Sequence, residues 1–153
     1  MSSRPFVYYL RTRYCECDAQ KVVFNSRYGE YTDVAVSEFI RAIGFGEEMK
    51  TGEFDVQLVK QTTQWRAPAR YDDVLEISVE TRHIGNTSFT LFAEFRIAGR
   101  EDAIATVETV YVHVDHKTLQ KQSIPEFRRE VLQRGAPGVA VDHAGYLRHA
   151  ARD

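Results

Sequence analysis

Two cysteines, four prolines and one tryptophan are spread over 153 residues, and no long apolar run separates them. Each scarcity excludes something. The only cysteines, Cys15 and Cys17, fall on one face of an expected strand, where a C-x-C disulfide would be strained. No second ligand pair stands at a zinc-finger spacing, and the five histidines (His83, His113, His116, His143, His149) form no HExxH pattern. No metal site is expected, and the two thiols are read as buried or half-buried. The apolar runs are too short to cross a bilayer, and the N-terminus lacks the h-region of a signal peptide, so a cytoplasmic protein is expected. A formal net charge of −2 gives no reason to expect a general nucleic-acid surface. With 43% hydrophobic and 27% charged residues, and neither repeats nor low-complexity segments, the chain reads as one ordinary globular domain.

What is present is a strand, a long helix, four strands and a short helix. Phe6 to Cys17 is rich in aromatic and β-branched residues, which favours a strand. From Ser26 to Ile43, Tyr28, Tyr31, Ala35, Phe39 and Ala42 repeat every three or four residues and make one apolar helical stripe. Asn25 or Ser26 is the candidate N-cap, and Gly44 stands where a left-handed C′ residue is expected. Gly44 to Gly52 is a connector with room for one helical turn. Strands are then expected over Phe54–Ala69, Val74–Ile84, Ser88–Ala98 and Ala103–Asp115, with Pro68 marking an edge or a bulge. Ile124 to Leu132 reads as a short helix with Pro125 in its first turn. Residues 136–153 read as a C-terminal tail to a domain over residues 1–135.

The chemistry concentrates between Tyr14 and Tyr31. An acidic residue, Asp18, ends the strand-like run, a short turn follows, and the long helix then begins. A helix start collects unpaired N–H groups and the positive end of the helix dipole. A carboxylate across the turn can hold a water or a carbonyl carbon while those amides receive a developing oxyanion. The plainer alternative is that Asp18 only caps its turn, a common use of aspartate. Asn25 is among the residues preferred as a helix N-cap, and Tyr28, on the apolar stripe, reads as core. Glu16, two residues before Asp18, either shares its strand face and perturbs its proton affinity or points into solvent.

The pattern Asp18-x-x-x-Val22-Val23-x-Asn25-x-x-Tyr28 resembles the 4-hydroxybenzoyl-CoA thioesterase family of hotdog-fold acyl-CoA thioesterases. Trp65-Arg66-Ala67-Pro68-Ala69-Arg70-Tyr71-Asp72-Asp73-Val74-Leu75 and Ile84-Gly85-Asn86-Thr87-Ser88-Phe89 extend the resemblance, which runs from about Phe6 to about Arg129. It implies an α+β hotdog fold, an antiparallel sheet wrapped around one long central helix. It also implies hydrolysis of a CoA thioester, with Asp18 as general base or nucleophile. The oxyanion and substrate would be positioned by backbone amides around Phe24, Asn25 and Ser26 and by Tyr28. Arg66, Arg70 and Arg82 are the cations expected to meet the polyanionic CoA. No cofactor is implied, since CoA is part of the substrate. Homodimers or tetramers with active sites at the dimer interface are the implied assembly, with acyl carrier protein as a possible partner. A hotdog dimer that binds acyl-CoA or acyl carrier protein without turnover, as sensor or scaffold, is the alternative. A pure interaction module built on the first strand and the tail is a third. One departure stands out: the Gly-rich turn of many relatives is replaced by Gln20 and Lys21, so Lys21 either takes a conformation glycine would take or reshapes the turn.

Overall fold

The computed structural model describes residues 4–150, so residues 1–3 and 151–153, the outer ends of the expected domain and tail, lie outside it, as does the side chain of His149. The elements are β1 (Phe6–Arg11), α1 (Arg27–Ala42), α2 (Gly46–Thr51), β2 (Asp55–Trp65), β3 (Val74–Ile84), β4 (Ser88–Ile97), β5 (Ala103–Val114), α3 (Glu126–Arg134), β6 (Ala140–Asp142) and α4 (Tyr146–Ala150). This is a mixed α+β fold around one six-stranded sheet of order β2-β5-β4-β3-β1-β6. All pairings are antiparallel except β6, which runs parallel to β1. The expected all-antiparallel sheet is corrected by that strand, and the segment 136–153 therefore contributes to the sheet itself. Among the described residues no helix is long and apolar enough to cross a membrane.

Alternation in β3 and β4 sends Leu75, Ile77, Val79, Phe89, Leu91, Ala93 and Phe95 to one face, where all are buried. That face meets the apolar stripe of α1, with Phe39 set edge-on to Phe6 and Tyr28 tilted on Phe95 at 5.3 Å between centroids. Burying each such side chain contributes about 1.5–3 kcal/mol. The opposite face carries Glu76, Ser78, Glu80, Phe92, Glu94 and Glu108. Gly44 has φ of 94° and donates its N–H to Arg41, the left-handed helix end the sequence suggests.

The first strand is shorter than expected. β1 stops at Arg11, and Tyr14–Glu16 forms a single 3-10 turn rather than a continued strand. Glu16 causes this: its N–H donates to the Arg13 carbonyl, and its carboxylate accepts the Arg13 N–H at 2.8 Å. That local closure outcompetes the β propensity of the surrounding residues. Cys15 is consequently exposed and Cys17 half-buried. β2 ends before Pro68 and is bulged between Leu58 and Lys60, as befits an edge strand.

Candidate active site

Cys17 pairs with Val23 across a tight hairpin whose tip is Asp18-Ala19-Gln20-Lys21. The Asp18 N–H donates to Val22, and the Lys21 N–H donates back to the Asp18 carbonyl at 2.9 Å. Lys21 takes φ of 62°, the left-handed conformation that glycine would adopt most cheaply, so the chain keeps the turn and accepts the strain. Asp18 Oδ1 accepts the Gln20 N–H at 2.8 Å and the Val22 N–H at 3.4 Å. Its Oδ2 accepts nothing among the described residues, and the side chain is exposed. Asp18 thus shapes the turn with one oxygen and leaves the other open.

The Phe24 N–H closes the hairpin by donating to the Glu16 carbonyl at 2.9 Å, which removes it from the expected oxyanion donors. The chain then turns into α1, with the Arg27 N–H donating to Phe24 and the Tyr28 N–H to Asn25. Between them, the N–H groups of Asn25 and Ser26 donate to no acceptor among the described residues. Ser26 occupies the N-cap position, but its side chain makes no capping bond, so the expected cap hydrogen bond is absent. The ring of Phe24 lies 56% exposed beside them.

Below the hairpin, Glu16 is 3% exposed. It accepts from the Arg13 N–H, from Arg13 Nε and Nη2, and from the Tyr31 hydroxyl at 2.8 Å. Burial works to raise its carboxyl, but the hydrogen bonds from Arg13 and Tyr31 outweigh it and hold the group below the ordinary glutamate value. Glu16 therefore neither points into solvent nor shares the open face of Asp18. The Arg13-x-x-Glu16 spacing was the available signal for this role, since residues three apart can close one turn on each other.

Tyr28 is only 2% exposed, edge-on to Trp65 and with its hydroxyl against the Ala69 backbone. It lies in the core under Trp65 rather than in an open pocket wall. The three expected cationic residues are not brought together. Arg66 and Arg82 border a 430 Å³ groove on the sheet face away from α1. There Arg82 stacks on Phe92 and faces Glu80 and Glu108, so it belongs to a paired surface network. Arg70 instead lies beside the hairpin, where its backbone bridges Val22. A smaller cavity of 240 Å³, not anticipated from the sequence, opens between α1, α2 and the sheet, lined by Asp33, Val36, Ile40, Met49, Phe89 and Tyr111. Burial, then the nearby Glu30, raises the Asp33 carboxyl.

A six-stranded sheet and helices in this order are those of a hotdog-type thioesterase-like domain. The chain belongs to the thioesterase-like superfamily, whose family model matches residues 12–134. Acyl-CoA thioester hydrolase YbgC of Escherichia coli is 28% identical over 127 residues, 82% of this chain and 94% of its own. A hypothetical protein of known structure from Aquifex aeolicus is 30% identical with a TM-score of 0.76, covering 84% of this chain and 99% of its own. The structure of a gentisyl-coenzyme A thioesterase superposes with a TM-score of 0.72 at 27% identity, covering 82% of this chain and 98% of its own.

Proposed function

We propose that the protein hydrolyses an acyl-CoA thioester to the free acid and CoA. The observation that carries this reading is the pairing of one open Asp18 oxygen with the unclaimed Asn25 and Ser26 amides on a single hairpin-to-helix junction. Names borne by relatives of similar length agree with it. Asp18 acts as general base or as nucleophile. As base, it takes a proton from water while the water oxygen attacks the thioester carbonyl carbon. As nucleophile, it forms an acyl-carboxylate anhydride that water then opens. In both routes the carbonyl oxygen becomes an oxyanion received by the helix-start amides, chiefly Asn25. Collapse breaks the C–S bond, and the CoA thiolate leaves and takes up a proton. No metal or redox cofactor enters these steps.

The sheet wraps α1 in the hotdog manner, and two copies join along β2 with their sites at the junction. In support, β2 is an edge strand whose Leu58, Val59 and Trp65 are exposed. The apolar cavity beside Val36 and Ile40 is the candidate receiver of the acyl group. Thiol release from a panel of acyl-CoAs, comparing wild type with Asp18→Asn, tests the reading. Turnover that survives in the variant overturns the role of Asp18; no turnover of any ester by wild type overturns the activity.

A further inference from the structure

Lys21 holds a left-handed backbone conformation that costs a lysine about 1–2 kcal/mol. Strain kept at a site where glycine would relieve it points to a use for the side chain. Its surroundings suggest which. The Lys21 carbonyl accepts the N–H of Tyr71 at 3.0 Å, and the next residue, Val22, bridges Arg70. The Asp18 turn is thereby stitched to the segment that carries Arg70 and Tyr71. Other nearby cations are committed: Arg11 faces Asp72, Arg13 holds Glu16 and Arg27 pairs with Glu30. Lys21 and Arg70 make no ion pair among the described residues. Beside them Tyr71, 46% exposed, meets Tyr14, 73% exposed, edge to face at 5.8 Å. Exposed aromatic rings next to two uncommitted cations fit a ligand with an aromatic head and several negative charges.

We propose that Lys21, Arg70 and the Tyr14–Tyr71 pair form a lip that docks the phosphorylated adenosine end of coenzyme A, the cations on phosphate and the rings on adenine. This rests on the thioesterase reading for its choice of ligand. The lip borders the turn that presents Asp18, so the pantetheine arm can fold back from it toward the open carboxylate oxygen. Arg82, stacked and paired on the far sheet face, has no part in it.

Calorimetric titration with CoA tests the lip without requiring turnover. Lys21→Asn is the informative variant, because asparagine tolerates the left-handed conformation and carries no charge. It should weaken CoA binding about fivefold and flatten its dependence on salt. Tyr71→Ala should weaken binding about tenfold through lost stacking, and Lys21→Arg should restore it. In turnover, the preference for a CoA ester over the same acyl group on N-acetylcysteamine should fall in Lys21→Asn by about the same factor of five. Equal CoA affinity in wild type, Lys21→Asn and Tyr71→Ala overturns the lip, even if acyl-CoA hydrolysis is intact. So does an effect of Lys21→Asn on thioesters of an acidic carrier protein but not on those of CoA. If CoA binds through these residues and no ester is cleaved, the lip stands and the thioesterase reading falls.

Discussion

Glu16 and Asp18 stand two residues apart on one hairpin, yet one is enclosed by four donors and the other faces solvent with an oxygen to spare. The difference comes from what each holds together. Glu16 ties the 3-10 turn at Arg13 to Tyr31 on α1, and so fixes where the helix begins. Asp18 ties only its own four-residue turn. A carboxylate that anchors two elements has no oxygen left for chemistry; one that shapes a local turn can do both. Stability falls to the first and, under the proposed function, reactivity to the second, and substitutions can break that division.

The largest effect is expected for Asp18→Asn. The amide oxygen can still accept the Gln20 N–H, so the turn and the melting temperature should hold within a few degrees. The ionised oxygen is gone, and kcat for the best acyl-CoA should fall by about a thousandfold or more. A variant that unfolds would show that Asp18 is structural in the manner of Glu16. Next in size is Asn25→Pro. Asn25 is the second residue of the turn closed by the Arg27 N–H on the Phe24 carbonyl, the position proline suits best. Proline there deletes one backbone donor, and the loss in kcat should be roughly a hundredfold. Asn25→Ala keeps the amide and should lose far less; equal losses would place the effect in the side chain.

Periodicity made much of the fold legible. The bounds of β3 follow from alternation along Val74–Ile84, and α1 from the stripe Tyr28, Tyr31, Ala35, Phe39. Asp18 and the helix start stood out because a turn residue before an amphipathic helix is a local pattern. What was not legible was competition between local and distant partners. The hydrogen bonds of Glu16 converted an expected strand into a turn, and the Phe24 amide was claimed by a carbonyl eight residues back. β6 was invisible because three residues, Ala140–Asp142, carry no period of their own and become a strand only by pairing with Val7–Tyr9. The arginines illustrate the same point: a cation's neighbours across a sheet, such as Glu108 and Phe92 for Arg82, cannot be read from its own segment.

Glu16→Gln tests the stability half of the comparison. It keeps the shape but leaves the Arg13 guanidinium without its charge partner, at a cost of about 2–3 kcal/mol in chemical denaturation. Because the folded carboxyl is held below its ordinary value of 4.5, the stability it contributes is fully present above that pH. As pH falls through the folded value the contribution disappears, so the gap between wild type and variant should close in acid. A gap unchanged from neutral pH down through that range would mean that the charge of Glu16 contributes nothing to folding.

The smallest effect sharpens the reactive half, and it has the opposite sign. Lys21→Gly removes a side chain from a left-handed residue, which relieves about 1–2 kcal/mol in the folded turn. Glycine also gains freedom in the unfolded chain, which takes back about 0.4–1 kcal/mol. A net stabilisation of roughly 0.5–1 kcal/mol in denaturation is expected. The same variant should bind CoA less tightly than wild type, because the ammonium of the lip is lost. A turn that gains stability while losing affinity is what a residue retained for its ligand predicts. If the variant is instead destabilised, Lys21 holds the hairpin together as Glu16 holds the helix start, and the reactive half of the junction shrinks to Asp18 and the amides of Asn25 and Ser26.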